Sequence, residues 1–87
     1  MWTIEFDAKV DKEMARLAPK ERQRILRFLM DRVASLDNPR DLGEALAGSL
    51  SGYWKYRVGD YRVIARFENR AMVIFVVRIG NRREVYR

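Results

Sequence analysis

The chain has 87 residues, with 18 Lys plus Arg against 12 Asp plus Glu, a net charge of +6 and 48% hydrophobic content. A typical domain runs ~100–150 residues, so residues 1–87 are read as a single domain with no room for a second core or a deep active site, and any chemistry belongs on an open surface. Cysteine and histidine are both absent, which excludes disulfides, thiol nucleophiles, Cys/His zinc centres and imidazole acid–base chemistry.

The longest apolar run, Ala71 to Val77, falls far short of the ~18–20 residues that span a bilayer, and the first turns of the chain mix acids with bases. The expectation is a cytoplasmic protein with no membrane partner. Residues 1–52 carry nine cations and nine anions, whereas residues 53–87 carry nine cations and three anions, so the whole excess sits in the last 35 residues. Eight of those nine cations are arginines, whose planar fork matches phosphate and keeps its proton. That asymmetry points to an anionic partner, nucleic acid ahead of a membrane surface.

Trp2-Thr3-Ile4-Glu5-Phe6 alternates apolar and polar residues and predicts a short strand. Asp7 or Asp11 then caps a helix buried along Val10, Met14 and Leu17. Pro19 suits the first turn of a second helix, because its missing N–H would be unpaired there in any case. That helix carries a greasy face through Ile25, Leu26, Leu29, Val33 and Leu36, and Asn38-Pro39 ends it. Residues 37–52 read as a loop pinned by Leu42, Leu46 and Leu50 among small residues.

From Tyr53 the period becomes two. Gly59-Asp60 is a two-residue hairpin turn of type II′ and Asn69-Arg70 a second tight turn, giving strands at 53–58, 61–68 and 71–79 and an extended tail at 84–86. The order is an N-terminal strand, a two-helix hairpin and an antiparallel meander. It predicts an α+β fold: a two-layer sandwich whose helices cover one face of a four-stranded sheet and leave the other open and basic.

Turn register predicts which residues share each face. With Gly59-Asp60 as the turn, Val58 pairs with Tyr61, Arg57 with Arg62 and Lys55 with Ile64. One face then holds Trp54, Tyr56, Val58, Tyr61, Val63, Ala65 and Phe67, which are read as core. The other holds Tyr53, Lys55, Arg57, Arg62, Ile64 and Arg66, with no acid before Glu68. Directly opposed like charges are unfavourable in a sheet; an absent anion would explain the arrangement, and a merely solvated charged face is the other reading of Lys55 and Arg57. Phosphate clamping by Arg with base stacking on Tyr is what single-stranded RNA binding uses. Arg66, Arg70, Arg78 and Arg87 are read as solvated.

Without His, RNA cleavage on such a face relies on electrostatic stabilisation of the pentavalent phosphate. Lys55 is the candidate for proton transfer, because neighbouring arginines disfavour its protonated form. Arg62 and Arg82 would hold the phosphate, Tyr86 would stack on a base or orient the attacking 2′-OH, and Tyr53, Arg57 and Arg83 would bind substrate. Only Asp60, Glu68 and Glu84 are acidic in the basic region, so neither a metal nor another cofactor is expected.

The segment Leu46-Ala47-Gly48-Ser49-Leu50-Ser51-Gly52-Tyr53-Trp54-Lys55-Tyr56-Arg57-Val58-Gly59-Asp60-Tyr61-Arg62, with the ending Arg82-Arg83-Glu84-Val85-Tyr86, resembles the RelE branch of the RelE/ParE toxin superfamily. The resemblance in layout covers nearly the whole chain. It implies a type II toxin: a metal-independent, ribosome-dependent endoribonuclease that cuts mRNA in the ribosomal A site through the RNA's own 2′-OH. It also implies a RelB-like antitoxin partner that blocks the basic face. By position, Lys55, Arg57 and Arg62 match the family's phosphate-handling cluster, and Arg82 or Arg83 with Tyr86 match its C-terminal catalytic elements. Some relatives carry a second lysine where this chain has Tyr53 and Trp54, and others a histidine near Asn81. Two other readings stand beside this one: the ParE branch, implying a gyrase inhibitor without nuclease chemistry, and a non-catalytic RNA-binding module.

Overall fold

A computed structural model describes residues 1–81. The N-terminal strand β1 (Thr3–Phe6) leads into helix α1 (Ala8–Ala15), which Asp7 caps by accepting a hydrogen bond from the Lys9 amide at 3.0 Å. Helix α2 (Pro19–Arg27) opens on Pro19 and runs into a π-helical turn, Phe28–Val33, where the sequence predicts uninterrupted α-helix to Leu36. The wider turn brings consecutive Val33 and Ala34 inward together, and the Ala34 amide donates to Leu29 O at 2.9 Å. The helical run ends at Val33, short of the expected Leu36, and Asn38-Pro39, expected to end it, instead caps and opens a separate 3₁₀ turn, Pro39–Leu42.

The sheet differs from expectation in its edges. It has five strands, in the order β1-β5-β4-β3-β2, with β1 parallel to β5 and the other pairings antiparallel. The fifth strand is β2 (Glu44–Ala45), two residues inside what reads as loop, pairing with β3 (Trp54–Val58). A two-residue strand is too short for alternation to reveal. The meander continues through β4 (Tyr61–Glu68) and β5 (Val73–Asn81). The second turn spans Asn69 to Met72, with the Met72 amide on Asn69 O at 3.2 Å, so Arg70 and Ala71 occupy its centre and β5 starts two residues later than expected.

The β3–β4 register is the expected one, with Val58 opposite Tyr61, Arg57 opposite Arg62 and Lys55 opposite Ile64. Gly59 has φ +61° and Asp60 a negative φ, as a type II′ turn requires. The position also demands glycine sterically: a Cβ there would lie 2.8 Å from Arg24 Nη1 on α2.

Both helices pack on one face, where Val10, Met14, Ile25, Leu29 and Val33 meet Tyr56, Val58, Val63, Ala65, Ile74, Val76 and Ile79. Trp2, Trp54 and Phe67 extend this core by edge-to-face contacts, and Arg40 covers its end with its guanidinium 4.1 Å from the Phe67 ring. Tyr56 is fully buried, and its hydroxyl donates to Pro39 O at 2.7 Å. Burial pushes its phenol well above the ordinary value, partly countered by the Arg40 charge. No helix among the described residues is long and apolar enough to cross a membrane.

Candidate functional site

On the face away from the helices, adjacent strands bring side chains into rows. One row runs from Arg57 on β3 through Arg62 on β4 to Gly80 on β5. The next runs from Glu44 on β2 through Lys55 and Ile64 to Arg78. Directly opposed residues have Cβ atoms ~4.5–5.5 Å apart, so Arg57, Arg62 and Lys55 form one cationic cluster. Gly80 offers no side chain on the third strand of the Arg57 row.

Arg62 is only 6% exposed, which corrects the picture of a face wholly open to water. Its Nη1 atom is buried with no hydrogen-bond partner among the described residues. A charged donor left without an acceptor is costly, and opposite it stands Arg57, another cation. The chemistry that satisfies this arrangement is an anion with several acceptor oxygens.

Ile64 is a second correction: it is only 4% exposed, lying in a groove between the Ser49–Leu50 turn and the start of α1. Lys55 corrects a third expectation, that the face holds no acid before Glu68. Glu44 on the added strand lies opposite it, with Oε2 at 3.3 Å from Nζ. Because Glu44 is largely exposed, the pair holds the lysine in place more than it stabilises the fold. Arg66, read as solvated, instead pairs with Glu68 and lies 4.8 Å over the Phe75 ring, away from the cluster. Arg78, also read as solvated, is half-buried and faces Glu13, whose Oε2 is 3.7 Å from its Nε.

Two contributors to this face carry no sequence signal. The β4–β5 register shifts between Ile64 and Ala65, leaving Val77 as an extra residue, so Val77 and Arg78 both turn toward the Ile64 side. Such bulges re-aim side chains beside functional surfaces, and nothing in Val76-Val77-Arg78 announces one. Glu13 is the other. Strand β1 ends opposite Val76, and Glu13 on α1 takes over the exposed edge beyond it, accepting from the Ile79 amide at 3.1 Å. Of the predicted site residues, the structure groups Lys55, Arg57 and Arg62 and sets Tyr53 immediately before β3. Arg82, Arg83 and Tyr86, with the tail expected at 84–86, lie outside the described residues.

Known proteins share this architecture. The chain is 22% identical over 86 residues to the toxin RelG of Mycobacterium tuberculosis, covering 99% of this chain and 97% of that toxin. The toxin–antitoxin complex RelBE2 of the same organism superposes with a TM-score of 0.84 at 21% identity, covering 93% of this chain and 91% of the other. The isolated RelE toxin of E. coli gives a TM-score of 0.73 at 23% identity, covering 99% and 92%. The family model for the ParE toxin of the type II toxin–antitoxin system parDE matches residues 4–86. With almost the whole chain inside that match, the protein belongs to the ParE toxin family of type II toxin–antitoxin systems, within the RelE/ParE superfamily, and its fold is RelE-like.

Proposed function

We propose that this toxin is a ribosome-dependent mRNA endoribonuclease. The observation that carries the reading is the buried Arg62 Nη1, without a hydrogen-bond partner among the described residues, on a residue paired with Arg57 and beside Lys55. Such a guanidinium lacks an anion with several acceptor oxygens, and a transferring phosphoryl group supplies those acceptors while building up the charge that the cluster stabilises.

In this reading the 2′-oxygen of one nucleotide attacks the adjacent phosphorus. The P–O2′ bond forms and the P–O5′ bond breaks, leaving a 2′,3′-cyclic phosphate and a 5′-hydroxyl. The 2′-OH gives up its proton as it attacks, and the departing 5′-oxygen receives one. Lys55 is the proton-transfer group within the cluster. Arg62 stabilises the charge that builds on the non-bridging oxygens, and Arg57 holds the neighbouring phosphate. Arg82 and Tyr86, carried over from the resemblance, complete the catalytic set, with Arg83 binding substrate. No step calls for a metal. Ordering a flexible message within reach of so open a site is the part that the ribosome supplies.

The partner is a RelB-like antitoxin with an acidic or amphipathic segment that covers the cationic face, in keeping with the RelBE complexes among the structural neighbours. The test is expression of the toxin with translating ribosomes and mapping of mRNA 5′ ends. Cuts inside open reading frames are expected. Their absence, together with gyrase poisoning, would replace this reading by the gyrase-directed one. RNA binding without cuts would leave a non-catalytic module.

A further inference from the structure

The groove that holds Ile64 is the feature the catalytic cluster does not use. It encloses about 300 Å³, with Ile64 and Val77 as its apolar floor, Tyr53 and Leu50 as walls, and Lys9 and Arg78 at the rim. That volume lies at the small end of ligand sites. It adjoins the cluster directly: Ile64 shares a row with Lys55, one i±2 step from the row of Arg62, or about 6.8 Å along the strand.

Three features define what fits. The floor and walls combine apolar side chains and one aromatic ring with polar Ser49, so the occupant has a flat body with polar edges. The rim and adjoining row are cationic, so the occupant is attached to negative charge on the side of Arg62. The walls are also held in place. The Tyr53 amide donates to Leu50 O at 3.1 Å and its carbonyl accepts from the Leu46 amide at 3.0 Å, while the bulge at Val77 fixes the floor. A flat ring attached to phosphates describes a nucleotide. An acidic peptide matches the charge but brings no plane to lie against Tyr53.

We propose that this groove is a nucleobase subsite of the same RNA site, with Tyr53 stacking on the base next to the phosphate that Arg62 holds. The subsite makes Tyr53, Leu50 and the Val77 bulge determinants of which nucleotide sits beside the cut. It rests on the nuclease reading, and the experiment separates the two.

The probe is a set of short single-stranded RNAs carrying 2-aminopurine at successive positions, whose fluorescence falls when that base stacks on an aromatic ring. The full chain is expected to quench one position strongly, and Tyr53→Phe to keep that quenching. Tyr53→Ala should weaken binding at that position by about ten-fold, the scale of a lost base–aromatic stack. Leu50→Glu should do the same from an exposed wall position, where the fold tolerates the change. On translating ribosomes, Tyr53→Ala should alter the distribution of nucleotides at the cut site.

No position-specific quenching with the wild type, or equal quenching with Tyr53→Ala, overturns the subsite. So does a Tyr53→Ala variant that keeps all its RNA contacts and loses only antitoxin binding, which would assign the groove to a protein partner. A wild type that quenches but cuts no message leaves the subsite standing and removes the nuclease reading.

Discussion

Tyr56 and Arg62 sit on opposite faces of the same sheet, and both are buried. The Tyr56 hydroxyl has found Pro39 O at 2.7 Å, whereas the Arg62 Nη1 has no partner among the described residues. On the helix-covered face, shape and polarity are satisfied within the chain. On the other, Arg62 faces Arg57, Lys55 is tethered to an exposed acid, and an apolar groove lies alongside. Folding alone favours satisfying every buried donor, so a face that departs from that rule is where a ligand completes the structure. The same contrast separates the acids. Glu13 closes the β5 edge by accepting from Ile79 and serves the fold, while Glu44 pairs with Lys55 at the cationic cluster.

Four substitutions sharpen this contrast. Arg62→Ala should lower mRNA cleavage on ribosomes by ~10²–10³, while urea unfolding shows a stability equal to or above wild type, because a buried donor without an acceptor is removed. Wild-type turnover in that variant would refute the role of Arg62. Tyr56→Phe should do the reverse, lowering unfolding free energy by ~1–3 kcal/mol as Pro39 O loses its donor, with cleavage unchanged.

Tyr56 also sets a pH dependence. Its folded value is raised above the ordinary 10.0 by burial, so the unfolded chain ionises first as pH rises. Stability is then constant below about pH 10 and falls above it. Tyr56→Phe should flatten that alkaline decline in thermal melts, and an unchanged decline would assign it to other groups.

Glu13→Gln is expected to cost ~1 kcal/mol, read by denaturant midpoint, since the amide oxygen still reaches Ile79 but loses the charge-assisted bond. Glu44→Gln should change stability by less than ~1 kcal/mol, as an exposed pair does. It should nonetheless tighten RNA binding at low salt, where one fewer carboxylate competes for Lys55. Weaker binding would make Glu44 a positioning residue whose charge the site requires.

Much of this molecule is determined by local signals in the sequence. The Gly59-Asp60 turn set the β3–β4 register, and a period of two then assigned every side chain on those strands to a face. Asp7 and Pro19 marked helix starts through capping and ring chemistry that act within a turn. The cationic row of Lys55, Arg57 and Arg62 followed from those signals. What only the tertiary structure decided depends on partners distant in sequence. Glu44 becomes the mate of Lys55 through a two-residue strand, Glu13 reaches Ile79 across 66 positions, and the Val77 bulge is defined only by how β5 pairs with the distant β4. Ile64 is buried for the same reason, between the Ser49–Leu50 turn and the start of α1. Alternation assigns a side chain to a face, but how deeply it is covered depends on segments far along the chain that fold back over that face.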